Sequence, residues 1–391
     1  SLRVATGYTG NINKTVKPNL MMKYYKNFRI SDDENYRMGY INNAPNPKLR
    51  WEKTRDVKVA LDFGLWKDRI NGIVEAYWRK SKDCVTSEYV PVTTGFFNQS
   101  YNTSVLQNNG VEFSLSVAVL KSKDYNLSVS ANVAWNQNKL KKYNSPNTSL
   151  ALDKYVGYPM GAVFSGKYEG IDPETGMYKF KLRPDAVTNK DGYLREPNNY
   201  YYYLGTSVAP FTGGFNLNFS YKNIGLSVGG SYSVKAKMVD NIESPAGYEL
   251  LSGSKLESIP TPHNDLYRNH LNVKREVRNR WTPENRTGVK YPRLIDAYGK
   301  KLGLDLTNPT LTTITRGALL EDISYLRINT IALSYSLPQR VLERINFSSA
   351  ALNLTLNNFF TITKYSGIDP EVPGATYPVS RSVTIGLNVG F

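Results

Sequence analysis

Apolar and polar positions alternate with a period of two in several long stretches of the chain. Val57, Val59, Leu61, Phe63 and Leu65 are interleaved with Lys58, Ala60, Asp62 and Gly64. A polar turn at Trp66-Lys67-Asp68-Arg69 follows, and Ile70, Gly72, Val74, Ala76 and Trp78 return with Asn71, Ile73, Glu75 and Tyr77 between them. Successive side chains of a strand face opposite sides, so each run predicts a strand with one apolar face, and the pair predicts an antiparallel hairpin. A second hairpin runs from Val111 to Val119, turns at Lys121-Ser122-Lys123-Asp124 and returns from Tyr125 to Trp135. A third joins Phe215–Tyr221 to Leu226–Tyr232 through Lys222-Asn223, and a fourth joins a strand carrying Ile331, Leu333, Tyr335 and Leu337 to Ala350–Leu356 through a longer turn, Pro338–Arg344. Leu2–Thr9 reads as a short opening strand. The last ten residues alternate without a break, with Val383, Ile385, Leu387, Val389 and Phe391 on one face.

Strand length separates two all-β architectures. Tyr125 to Trp135 is ten steps of about 3.3 Å, which at a tilt of roughly 40° covers about 25 Å, the height of an outer-membrane apolar band between its aromatic girdles. Strands of soluble proteins average about 5–6 residues. Connection lengths sort in the same direction. The short turns fall on one side, and the long connections, about 10–50, 80–108, 137–210, 235–320 and 360–381, all fall on the other. Short periplasmic turns and long extracellular loops are the rule for outer-membrane barrels. The expected fold is therefore all-β, a transmembrane antiparallel β-barrel to which the chain contributes about ten strands, enough for half a large barrel. Trp66, Trp78 and Trp135 are its expected girdle residues. A final strand that reaches the last residue suits a barrel that must leave no open edge in lipid.

Composition narrows the function. No stretch approaches the roughly 18 apolar residues of a membrane helix, whereas a barrel needs only alternate residues to meet lipid. The formal net charge is +16, yet the basic residues are scattered through loops and turns rather than collected on a stripe with aromatics. A solvated or anionic-lipid-facing surface accounts for them better than nucleic acid. The one dense patch runs from Lys274 to Lys301 and includes Arg275, Arg278, Arg280, Arg286, Lys290 and Arg293; it is a candidate for an anionic ligand. Cys84 is the only cysteine. His263 and His270, with Asp265 between them, fit no standard metal spacing, so no metal or cofactor is expected. No Ser/His/Asp, Cys/His or phosphate-loop constellation points to an enzyme.

Several segments, in order, resemble the SusC/RagA family of TonB-dependent outer-membrane transporters of Bacteroidetes. They are Asn46-Pro47-Lys48-Leu49-Arg50-Trp51-Glu52-Lys53-Thr54 with Leu61-Asp62-Phe63-Gly64-Leu65, then Asn108-Asn109-Gly110-Val111-Glu112, then Tyr168-Glu169-Gly170-Ile171-Asp172-Pro173-Glu174-Thr175-Gly176. Arg280-Trp281-Thr282, Tyr291-Pro292-Arg293-Leu294 and Ser324-Tyr325-Leu326-Arg327-Ile328-Asn329 follow, and the run from Asn357 to Glu371 is the most specific. The resemblance implies a 22-stranded barrel of which this chain supplies about the last ten strands. It further implies an N-terminal plug and a TonB box that lie outside this chain, a SusD-like lid lipoprotein, coupling to the TonB complex, and import of glycans or peptides across the outer membrane. The terminal Phe391, with Val383, Ile385, Leu387 and Val389, resembles the barrel assembly signal. Within the loops, Tyr200, Tyr201, Tyr202, Tyr203, Arg278 and Arg280 are candidate ligand contacts. Asp172-Pro173 and Asp369-Pro370 read first as turns. The alternative reading is a surface all-β binding module or adhesin without transport.

Overall fold

In a computed structural model of the protein, the described residues are 1–12, 16, 18–24, 39–143, 155–174, 176, 178–186, 199–239, 278–290, 316–373 and 377–391. They carry eighteen strands. β1 (Leu2–Asn11), β2 (Met21–Tyr24), β3 (Gly39–Asn43), β4 (Glu52–Leu65), β5 (Ile70–Tyr89), β6 (Asn98–Lys121) and β7 (Tyr125–Lys142) come first. β8 (Ala162–Gly166), β9 (Tyr168–Ile171), β10 (Tyr178–Phe180), β11 (Tyr201–Thr206), β12 (Phe211–Tyr221) and β13 (Ile224–Val234) follow. The last are β14 (Lys237–Val239), β15 (Leu320–Asp322), β16 (Tyr325–Ser336), β17 (Ser349–Thr363) and β18 (Ser382–Gly390). The ten long strands take the sheet order β1-β4-β5-β6-β7-β12-β13-β16-β17-β18, a meander without crossovers. Four two-stranded pieces, β2-β3, β8-β11, β9-β10 and β14-β15, sit in the long connections.

The chain divides into two compact units, residues 1–160 with 213–222, and residues 161–212 with 223–391. In the first, the registers fix two unlike faces. Val57, Val59 and Leu61 pair with Trp78, Ala76 and Val74. Val74 and Ala76 pair in turn with Phe113 and Val111, and these with Val133 and Trp135. All lie on one apolar face. The opposite face carries Asp56, Lys58, Asp62, Glu75, Tyr77, Arg79 and Glu112. In the second unit, Leu333, Leu354 and Ile385 lie side by side across β16, β17 and β18, and Thr330 pairs with Asn357 on the other face.

Burial shows which face meets lipid. Among the described residues only nine hydrophobic side chains are buried, whereas Leu61, Leu387 and Ile385 are 49%, 67% and 74% exposed. A soluble sandwich would bury its apolar face, at roughly 25 cal/mol per Å². Here the apolar face is the exposed one, as a lipid-facing wall requires. Among the described residues no helix is long and apolar enough to cross a membrane.

Three expectations change in detail. The connection placed at about 80–108 shrinks to 90–97, because β5 continues to Tyr89 and β6 begins at Asn98. That extension is mostly polar, and its few apolar residues, Cys84 with Val85 and Val105 with Leu106, are adjacent, so it lacks the alternation that announces a strand. The opening strand runs on to Asn11. The turn Pro338–Arg344 contains a short helix, α1 (Gln339–Ile345), closed by Asn346 in a left-handed conformation.

Candidate functional site

The polar face of the first unit is built from paired charges. Arg3 donates twice to Asp62 at 2.7 Å, Lys58 donates to Glu75 at 2.9 Å and Arg79 to Asp56 at 2.9 Å. Tyr77 Oη donates to Asn136 at 3.0 Å. Its ring crosses β6 at Gly110, where an added Cβ would stand 2.4 Å from Tyr77 Cζ. The glycine of the Asn108–Glu112 run is therefore the gap through which Tyr77 reaches β7. Gly72 does the same on the apolar face, beneath the Phe63 ring.

The loops are held by side chains from separate sequence runs. Asn46 Nδ2 donates to the Ser100 carbonyl at 2.7 Å, and Arg50 pairs with Asp83 at 2.8 Å. Asn102 accepts from Arg50 N at 2.9 Å and donates to the carbonyls of Arg50 and Asp83. These bonds pin the Asn46–Thr54 run to the β5–β6 extension. In the second unit, Asp172 Oδ1 caps Glu174 N at 2.8 Å, and Trp281 Nε1 donates to the Pro173 carbonyl at 2.9 Å. The Asp-Pro turn is thus the seat of a buried tryptophan from the Arg280-Trp281-Thr282 run.

The most buried of these clamps involves residues that the sequence did not single out as a pair. Arg327 on β16 and Asp369 in the loop after β17 are 2% and 4% exposed. Arg327 Nη2 donates to Asp369 Oδ1, and Nη1 lies 2.9 Å from Glu371 Oε2. Asp369 also accepts from the backbone N–H of Glu371 at 2.9 Å and of Val379 at 3.0 Å. Burial pushes its carboxyl upward, but these N–H donors and the guanidinium together hold it below the ordinary carboxylate value. The turn reading of Asp369-Pro370 is correct locally and incomplete, because the aspartate also anchors the loop to β16. The available signal was Arg327 itself, a cation set inside the run Tyr325-Leu326-Arg327-Ile328.

The remaining candidates divide. Tyr201 and Tyr203 lie opposite Gly166 and Phe164, whereas Tyr202 alternates away and donates to the Leu182 carbonyl at 2.8 Å. The four tyrosines do not form one platform. Tyr203 packs on Phe164 at 5.7 Å and stays 41% exposed. Tyr168, Tyr178 and Phe180 form a separate aromatic cluster on β9-β10, with centroids 5.6–6.2 Å apart. Burial raises the Tyr168 phenol. Arg278 is exposed and Arg280 half-buried. Lys274, Arg275, Arg293, Lys301, His263, Asp265 and His270 lie outside the described residues. Trp66 is 71% exposed at the short-turn end, and Trp78 (49%) and Trp135 (36%) are exposed near the other end of the apolar face. At the terminus, Phe391 is 92% exposed and meets Phe347 edge-on at 5.1 Å.

An exposed apolar wall and a charged opposite face define the class: the wall of an outer-membrane β-barrel. Proteins similar to this chain are TonB-dependent receptors and a peptide importer. The chain matches no protein-family model. It is similar to the TonB-dependent receptor SusC of Bacteroides thetaiotaomicron, 25% identical over 373 residues, which cover 89% of this chain and 33% of SusC. TonB-dependent receptor P26 of Formosa agariphila is 25% identical over 386 residues, 90% of this chain and 36% of P26. Among solved structures, the RagAB peptide importer in its closed-closed state superposes with a TM-score of 0.76 at 26% identity, covering 100% of this chain and 40% of that one. The open-open state gives 0.73 at 27%, with the same coverage. The chain thus spans 33–40% of the length of these relatives.

Proposed function

We propose that this chain is the C-terminal wall, with its ligand-facing loops, of a TonB-dependent importer that takes up glycans or peptides together with a SusD-like lid lipoprotein. The observation that carries the reading is the similarity to the RagAB peptide importer over the whole chain. The outward-facing apolar wall supports it physically. In this reading the paired polar face lines the lumen, against the plug. The clamped loops at the long-connection end form the extracellular mouth, with exposed Tyr203 and Arg278 and half-buried Arg280 as contacts for ligand. Trp66 marks the periplasmic girdle, and Trp78 with Trp135 marks the outer one. β18 carries the assembly signal, and the free ladders of β1 and β18 join the rest of a larger barrel, since lipid tolerates no open edge. Uptake is binding followed by gated passage, without covalent chemistry, and TonB-driven plug movement opens the lumen.

Detergent purification of the native protein carrying this chain tests the reading. The expected species is a heat-modifiable outer-membrane protein that brings down a lipoprotein, with an oligosaccharide or peptide detected by mass spectrometry. A water-soluble protein with no lipoprotein bound would overturn it.

A further inference from the structure

The outward face of the first unit changes character just past Trp78. Register continues the apolar face through Arg55 and Lys53 on β4, Lys80 and Lys82 on β5, Gln107 on β6 and Lys139 on β7. Lys80 and Lys82 stand about 7 and 13 Å beyond Trp78 along the strand. Arg55 is the direct partner of Lys80, and Lys53 of Lys82. Like charges facing each other across strands destabilise a sheet. None of these five cations forms an ion pair among the described residues, while Arg3, Lys58 and Arg79 on the opposite face each hold a carboxylate. Two facing cation pairs without a counter-charge, continuous with a lipid-facing surface, are complementary to an anion carried by the lipid.

We infer that Lys53, Arg55, Lys80, Lys82 and Lys139 form a docking belt for the phosphate groups of an outer-leaflet glycolipid. The acyl chains would lie along Leu61, Val74 and Val111 below, and the phosphates would sit between the facing cations. The inference rests on the proposed orientation, in which the long-connection end is extracellular.

Native mass spectrometry of the detergent-purified full-length protein, titrated with monophosphoryl lipid A, tests it. Saturable binding is expected. It should weaken at least about tenfold in K80Q/K82Q, as removal of interfacial cations predicts, and stay unchanged in K121Q/K123Q at the short-turn end. Unchanged binding in K80Q/K82Q, equal binding of the dephosphorylated lipid, or displacement by millimolar inorganic phosphate would overturn it. If K80Q/K82Q loses heat-modifiable folding, R55Q with K139Q serves instead. Orientation is read separately, by labelling Lys82→Cys and Lys123→Cys, each in a Cys84→Ser background, on intact cells with an impermeant maleimide. Labelling at 123 and not 82 would sink the orientation, and the belt with it. Labelling at 82 without lipid binding would sink the belt alone.

Discussion

The two faces of β4–β7 are made from the same strands and follow opposite rules. On one face, three cations each hold a carboxylate, Arg3 with Asp62, Lys58 with Glu75 and Arg79 with Asp56, while Glu112 has no cation among the described residues. On the other, apolar side chains stand exposed, and where cations appear they stand without partners. A folded protein in water has no use for the second arrangement. In the proposed reading each face is matched to a different medium, a confined aqueous one on the paired side and a membrane with its own apolar and anionic groups on the other. Arg327 extends the first rule to complete burial. It shares a face with Ser231 and Thr361 and holds two carboxylates at once.

Truncating that buried member gives the largest effect. Arg327→Ala leaves Asp369 buried without its cation, a loss of about 3–5 kcal/mol. Residues 364–373 should then release from β16 and become cleavable by protease in the folded protein, while the strands stay heat-modifiable. Cleavage no faster than wild type would mean that the backbone N–H groups of Glu371 and Val379 hold the loop alone.

Next in size is a charge on the exposed apolar face. Leu61 lies midway along the apolar run of β4, and Leu61→Arg should destabilise the barrel by about 2–4 kcal/mol. Ser114→Arg, on the polar face of β6, should leave the folded fraction unchanged. Urea titration of both variants in lipid vesicles makes the comparison. Equal tolerance would dissolve the distinction between the faces.

How much of this was legible follows from the same physics. The walls were readable because period-two alternation is a local signal, and Val57–Leu65 or Tyr125–Trp135 carries it without interruption. The β5–β6 extension was not, since Arg79 to Tyr89 is largely polar and its apolar Cys84 and Val85 are adjacent rather than alternating. The clamp was hidden for another reason. Arg327 and Asp369 are 42 positions apart, and only the register of β16 on β17 brings them together. Within the tyrosine run, adjacent residues of the strand point to opposite sides, so Tyr202 turns away from Tyr201 and Tyr203.

Acid should sharpen the account of the clamp with a smaller effect. The Asp369 carboxyl is held below its ordinary value in the folded state. Its contribution is therefore complete above the unfolded carboxylate pKa of about 4 and is lost as pH falls through the depressed value. Protease sensitivity of residues 364–373 should be flat from neutral pH to about pH 5 and rise only below about pH 4. Asp369→Asn should remove that rise. A rise that begins near neutrality would assign the sensitivity to a different group.

The smallest effect belongs to an ordinary pair on the polar face. Lys58 and Glu75 meet at 2.9 Å with their side chains 41% and 23% exposed, so solvent screens most of their attraction. A double-mutant cycle with Lys58→Met and Glu75→Gln should return a coupling of about 0.2–1 kcal/mol, declining in high salt. Exchange of the two residues should keep most of it, because Glu75 also faces Glu112 across β6 and a lysine placed at 75 would meet that carboxylate. A coupling of several kcal/mol, insensitive to salt, would mean that the polar face is dry. It would then be a packed interior rather than the lining of a water-filled passage.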